Sequence, residues 1–222
     1  MCVKIALLGA ESTGKTQLAT DLVAHLRACG LSALQVPEVL REWCDEQGRT
    51  PRPHEQAFIA QAQADRVNLA AGSAAADYLI ADTTPMMTAI YSHKLFADAS
   101  LYHFALAHQS SYDLTLVTAL DLPWVADGLQ RDGVHVREPV DAMLRLALES
   151  GQIPYQVIYG KGLDRLQNSI NAINSIAIIP IPDCGIGLKS LSNRMRNWVC
   201  EKCSDPDCEH VIFRNLLQQQ TG

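Results

Sequence analysis

A chain of 222 residues, 48% apolar and only 6% aromatic, can form one α/β domain with a small appendage and suits an all-β sandwich poorly. The net charge of −6 excludes a global basic footprint for nucleic acid, though it leaves room for a local patch. No apolar run approaches the roughly 20 residues of a membrane span. The short run Val3 to Leu8 leads straight into a phosphate-loop pattern that a cleaved leader would destroy, so a cytoplasmic chain is expected.

Val3 to Leu8 (VKIALL) reads as a strand of the kind a parallel sheet buries on both faces. Leu18, Leu22, Val23 and Leu26 then recur at helical spacing, and Cys29-Gly30 marks the helix end. Ser32 to Val36 is a second strand, broken by Pro37, with a helix over Glu38 to Gln47. After the loop Thr50 to Pro53, an Ala- and Gln-rich helix is expected over His54 to Ala71. Tyr78 to Ala81 is a buried strand ending on Asp82, and helical segments fill Pro85 to Gln109. Leu114 to Ala119 and Tyr155 to Tyr159 are further strands. Helices are expected over Trp124 to Leu129, Val140 to Ser150 and Gly162 to Ile173. Strands alternating with helices predict right-handed crossovers and a mostly parallel sheet with helices on both faces. The Pro- and Gly-rich stretch from Ile179 to Ser190 reads as a linker. Residues 1–179 would then form the main domain, 180–190 the linker and 191–222 a Cys-rich appendage.

Gly9-Ala10-Glu11-Ser12-Thr13-Gly14-Lys15-Thr16 matches G-x-x-x-x-G-K-[ST] in full. The glycines permit backbone angles that turn successive N–H groups around phosphate oxygens. Lys15 brings positive charge to the β- and γ-phosphates of ATP, and the Thr16 hydroxyl is a ligand for Mg²⁺. The helix that opens here points its positive end at the anion. The match lies after a predicted strand and before an amphipathic helix, as the chemistry requires.

Nucleotide-binding proteins with this loop usually deliver an Asp from a second strand to the Mg²⁺. Asp82 ends such a strand and is the candidate, as Mg²⁺ ligand or as base for an acceptor hydroxyl. The structural alternative is a helix cap, since Asp82-Thr83-Thr84-Pro85 starts helices well. Glu38, Arg41 and Glu42 follow the second strand and would face a crevice for a second substrate, unless they form an ordinary solvated face. Arg131 and Arg137 flank a Gly-containing stretch and are candidate lid arginines for the transferring phosphoryl group, or plain surface residues.

The series GAESTGKT, EVLREW, IADTT and PWVADGLQRDG resembles the ribosylnicotinamide kinase domain of the bifunctional bacterial NAD-biosynthesis regulators, over roughly residues 3–173. The resemblance implies a phosphate-loop kinase fold and transfer of the ATP γ-phosphate to the 5′-hydroxyl of nicotinamide riboside. It implies that Lys15 and Thr16 serve phosphate and Mg²⁺, that Asp82 is the strand-end acid, and that Trp124, Asp127 and Arg131 belong to a later motif. The family commonly carries Asp-Thr-Asp where this chain has Asp82-Thr83-Thr84. Its adenylyltransferase and DNA-binding domains have no counterpart expected in this length.

Seven cysteines, an odd count in a chain expected in the cytoplasm, argue against a disulfide framework. Cys200, Cys203, Cys208 and His210 fall within eleven residues and make a complete tetrahedral set for a structural Zn²⁺, or else reduced thiols on a helix. The readings of function are therefore a small-molecule kinase, a regulatory ATPase whose nucleotide state a protein partner reads through the tail, and, against the acidic charge, a nucleic-acid-linked ATPase.

Overall fold

Val3–Leu8 forms β1, and its position at the centre of the sheet explains the apolar, fully buried run Ile5 to Leu8 that follows Lys4. The computed structural model describes residues 2–72, 76–124, 134–177, 180–182 and 184. After β1 come α1 (Lys15–Ala28), β2 (Ala33–Val36), α2 (Val39–Gln47), α3 (Gln56–Gly72) and β3 (Tyr78–Asp82). They are followed by α4 (Pro85–Phe96), α5 (Tyr102–Gln109), β4 (Leu114–Thr118), α6 (Arg137–Ser150), β5 (Gln156–Ile158) and α7 (Leu163–Asn174). Short 3₁₀ turns precede α3 and α6.

The five strands are all parallel, in the order β2-β3-β1-β4-β5. β1 leads outward to β2, while β3 leads across β1 to β4 and on to β5. Opposite directions of travel place the connections on opposite faces, as a single hand of crossover requires. On one face Ile5, Leu7, Ile80 and Leu116 pack against Leu18, Leu22 and Leu26 of α1 and Leu166, Ile170 and Ile173 of α7. On the other, Leu8 and Val117 pack against Met86 and Ile90 of α4 and Val140 and Leu144 of α6, while Leu79 and Ala81 pack against Val67 of α3. The strict alternation of β1, with Leu7 to one layer and Leu8 to the other, is the two-residue period of a strand buried on both sides. Truncating a residue as enclosed as Leu22 would cost about 2–5 kcal/mol.

One expectation changes here. Cys29, at the end of α1, is joined to Cys184 by a disulfide with a Cα–Cα distance of 5.3 Å, although the odd cysteine count argued against disulfides. A count over the whole chain cannot see that two distant residues share one surface. Ile181 is buried in the α1–α7 layer, and its N–H donates to Asn174 Oδ1 at 2.7 Å, while residues 185–222, with the rest of the expected linker and the appendage, lie outside the described residues.

Candidate active site

The carboxyl ends of β1, β3 and β4 lie side by side, so the loops that leave them converge. The first is the Gly9–Thr16 loop. Gly9 has φ 145° and Gly14 φ 75°, and Ser12 also has a positive φ of 57°. Gly9 is required by proximity as well as by angle, because a β-carbon there would stand 2.2 Å from Thr118 Oγ1. Two buried hydroxyls brace the loop from below. Thr13 Oγ1 donates to the Ala10 carbonyl at 2.8 Å and pairs with Thr118 Oγ1 at 2.6 Å. Thr118 Oγ1 also lies 3.1 Å from the Leu8 carbonyl. Gly14 then stands as the left-handed N-cap of α1, whose positive end opens at Lys15.

The Lys15 ammonium donates to the Ala10 carbonyl at 2.8 Å, folded over its own loop. Burial pushes its pKa below the ordinary lysine value, while Glu38, Asp82 and Glu11 push it back up and Arg41 opposes them. Three carboxylates from different segments thus share one cation. Thr16 is exposed at the start of α1, and its carbonyl accepts from Thr20 Oγ1 at 3.0 Å.

Asp82 pairs in register with Leu7 of β1 and is only 1% exposed. Its Oδ1 has no hydrogen-bond partner among the described residues. The alternative reading of Asp82 as a helix cap fails, because Thr84 does that work: the Met86 N–H donates to Thr84 Oγ1 at 3.2 Å, with Pro85 opening the helix. Thr84 Oγ1 also donates to Gln109 Oε1 at 2.7 Å, and Gln109 Nε2 reaches Thr115 Oγ1 at 2.9 Å. Position 84 is therefore committed to a buried network. Thr83, at φ 80°, borders the cleft instead.

That cleft, about 540 Å³, runs from Gly9, Ser12 and Lys15 past Glu38 and Arg41 to α4. Glu38 is the N-cap of α2, with Arg41 one turn on and their charges 3.8 Å apart. Gln63 of α3 grips the backbone on either side of Glu38: its Oε1 accepts the Val39 N–H at 2.8 Å and its Nε2 donates to the Pro37 carbonyl at 3.4 Å. The outer wall is fixed by a bidentate pair, Arg49 to Glu55 at 2.6 and 2.8 Å, with the Arg49 guanidinium 4.8 Å from the Trp43 ring centroid. These contacts hold the Glu55 carboxyl at about 2, well below its usual range.

On the β4 side, Arg165 of α7 is 3% exposed and clamps the phosphate loop. Its guanidinium donates to the Thr13 carbonyl, to the Asp121 carboxylate and, at 2.7 Å, to the Gly160 carbonyl. Asp121 also accepts the Gly160 N–H at 2.6 Å. Arg137, the first residue of α6, donates through Nη1 to the Leu122 carbonyl at 2.9 Å, while its buried Nε and Nη2 have no partner among the described residues. Trp124 is half-buried and lies outside the cleft lining, its indole N–H without a described partner.

Asp127 and Arg131 fall outside the described residues, as do Cys200, Cys203, Cys208 and His210. Among the described residues no group of three or more His, Cys, Asp or Glu is placed to hold a metal ion. Nor, among them, is any helix long and apolar enough to cross a membrane. The structure brings Glu38, Asp82, Arg41 and Glu11 around Lys15 of the Gly9–Thr16 loop. Sequence reasoning missed Thr118, Asp121, Arg165, Gln56 and Gln63. A sequence separation of 152 between Thr13 and Arg165 hides their contact from any local pattern.

An AAA domain family profile matches residues 4–165, and the chain belongs to that family. No curated protein sequence matches the chain. Among solved structures it is similar to NadR protein in complex with NR, at 19% identity and TM-score 0.67, covering 82% of this chain and 52% of that one. NadR protein in complex with NAD and AMP-PNP is similar at 18% identity and TM-score 0.64, with 82% and 51% covered. Deoxyadenosine kinase from M. mycoides is similar at 15% identity and TM-score 0.54, with 78% of this chain and 100% of that one covered. The chain thus spans about half the length of the NadR proteins it matches, and at these identities the likeness is one of fold.

Proposed function

We propose that the chain is an ATP-dependent phosphotransferase that moves the γ-phosphate of ATP to a hydroxyl of a nucleoside-like acceptor, nicotinamide riboside first among them. The observation that carries this reading is the cleft: it is continuous with the phosphate loop and large enough for a second small molecule, which a nucleotide switch alone does not need. The NR complex formed by one structural neighbour, and the deoxyadenosine kinase activity of another, support the acceptor class.

The geometry supports the following roles. The loop and the α1 N-terminus cradle the phosphates, and Lys15 neutralises charge on the transferring group. Glu38 and Arg41 line the acceptor side. The unpartnered Oδ1 of Asp82 and the exposed Thr16 hydroxyl are hard oxygen donors of the kind Mg²⁺ takes. Held there, Mg²⁺ would supply positive charge to offset that of the phosphate oxygens. Arg137, with two unpaired N–H edges, supplies further positive charge from the far side, with Arg131 as the second candidate. A new bond forms between the acceptor oxygen and Pγ, the Pγ–O bond to ADP breaks, and a carboxylate, Glu38 in the cleft lining or Asp82 near Lys15, accepts the hydroxyl proton. Trp124 and Asp127 enter as acceptor residues through the family resemblance alone.

ADP formation from Mg-ATP, with and without nicotinamide riboside and with Lys15→Ala as the blank, tests the reading. Stimulation by the riboside is expected. Slow hydrolysis indifferent to any riboside would refute it and favour a regulatory ATPase.

A further inference from the structure

Cys29 caps the end of α1 remote from the phosphate loop, and its bonded partner Cys184 lies beyond the end of α7. Just before Cys184 the chain is seated by Ile181, whose side chain is buried in the α1–α7 layer and whose N–H is held by Asn174, the last residue of α7. That seat is made without the sulfurs, so the bond fastens a segment that is already in place. Both cysteines are only half-buried, within reach of a small thiol. The His25 imidazole stands one helical turn before Cys29, with Nε2 3.6 Å from its Sγ. The Pro182 carbonyl oxygen lies 3.3 Å from each of the two sulfurs. A disulfide has no proton for either group to take, whereas a pair of thiols does: the imidazole can receive one and the carbonyl can accept an S–H. The site is furnished for both oxidation states.

We propose that Cys29 and Cys184 form a reversible thiol–disulfide exchange site whose reaction partners are low-molecular-weight thiols and disulfides, and that its oxidation staples the ends of α1 and α7 together. The proposal is independent of the phosphotransferase reading. In closing, the Cys29 thiol passes its proton to His25 Nε2, and its sulfur attacks a small disulfide. A mixed disulfide forms and one thiolate is expelled, which takes up that proton. The Cys184 sulfur, giving up its own proton, then attacks Cys29 Sγ and expels the second thiolate, which leaves as the thiol. Two cysteines are oxidised and one small disulfide is reduced to two thiols; opening is the reverse. The closed bond joins residues 155 apart and so encircles nearly the whole domain, the case in which a cross-link restricts the unfolded chain most. The two helices it joins are those that hold the phosphate loop at their other ends, through Lys15 and through Arg165 on the Thr13 carbonyl. The stability of this helix pair thereby follows the thiol–disulfide balance of the surroundings.

The test equilibrates the full-length chain in glutathione buffers of graded reduced-to-oxidised ratio, traps free thiols with N-ethylmaleimide and maps the linked peptides by mass spectrometry. Thermal unfolding is followed in the same buffers. The Cys29–Cys184 peptide is expected to pass from nearly complete to nearly absent across the series, in both directions. The unfolding midpoint should fall by about 5–15 °C as it disappears. Cys29→Ser and Cys184→Ser, each losing one half-buried sulfur, should fold and unfold at the reduced midpoint in every buffer. His25→Gln is expected to slow closing by about tenfold or more, and an unchanged rate in the folded variant would remove the imidazole from the exchange. A bond that persists in the folded protein in the most reducing buffer would make it a fixed structural cross-link. One that never closes in the most oxidising buffer would remove it, and preferred pairing of Cys184 with Cys200, Cys203 or Cys208 would place the chemistry elsewhere. Each of these overturns the proposal, as does an unfolding midpoint indifferent to the bond.

Discussion

The Cα of Gly9 and the hydroxyl of Thr118 approach so closely that any β-carbon at position 9 would lie 2.2 Å from that oxygen. The phosphate loop is thus moulded against the end of β4, not merely left flexible by its glycines. Gly9→Ala is expected to force Thr118 or the loop to shift, destabilise the domain by about 1–3 kcal/mol and weaken ATP binding by tenfold or more. Denaturant titration together with nucleotide calorimetry measures both. An unchanged ATP affinity in the folded variant would show that the contact does not shape the loop.

In the proposed reaction Lys15 carries its proton to neutralise phosphate, yet burial lowers its pKa from 10.5. The loss of activity on the alkaline side should therefore begin at a lower pH than for an ordinary lysine. Bound ATP adds negative charge beside the ammonium and pushes the pKa back up. The alkaline limb of kcat is then expected to lie at higher pH than that of kcat/KM for ATP. Coincident limbs, or a limb unaffected by Lys15→Arg, would assign the titration to another group.

Arg165 joins the Thr13 carbonyl, Asp121 and the loop at Gly160. Arg165→Met leaves a buried carbonyl and a carboxylate without their donor, and a loss of about 3–5 kcal/mol is expected. Arg165→Lys keeps the charge but not the planar fork, so it should recover only part of this. Thermal unfolding of the two variants measures the difference. Full recovery by lysine would reduce the clamp to simple charge balance.

The Glu55 carboxyl is held at about 2 by Arg49 and the Arg52 N–H, below its ordinary 4.5. A depressed carboxylate stabilises the fold above its unfolded pKa, and that stability is lost as pH falls towards the folded one. The stability gap between wild type and Glu55→Gln is therefore expected to be constant near neutrality and to shrink between about pH 4.5 and pH 2. A gap that does not change with pH would mean that Glu55 contributes shape and not charge.

How much of this could be read in advance depended on how local the cause was. The mostly apolar runs that became β1, β3 and β4 are visible because a strand buried on both faces admits few polar residues, and then only with a partner, as Thr115 has in Gln109. The phosphate loop is visible because its backbone demands glycine at fixed spacing. Capping was readable only to within two residues: Asp82 and Thr84 both suit an N-cap, and only the helix start at Pro85 decides between them. The Asp-Thr-Thr departure from the family pattern gained a meaning from packing alone, since Thr84 is turned to Gln109. Arg165, Gln63 and the Cys29–Cys184 bond are products of tertiary proximity, and nothing in their own neighbourhoods signals them.

Because all five strands run the same way, each passage through the sheet ends among the site residues and each return ends among none of them. The return end is closed by small polar latches: Ser32 to Asp77 at 2.6 Å, and the Lys4 N–H to Asp113 at 2.7 Å. Nothing stands within 4 Å of a β-carbon placed on Gly30 in the turn there. The domain is therefore unequal in what it lets evolution alter. An insertion near Gly30 taxes folding alone, whereas the same insertion after Leu8, Asp82 or Thr118 silences the site in a protein that still folds. Variation among descendants of this chain should collect at one pole of the sheet and be scarce at the other.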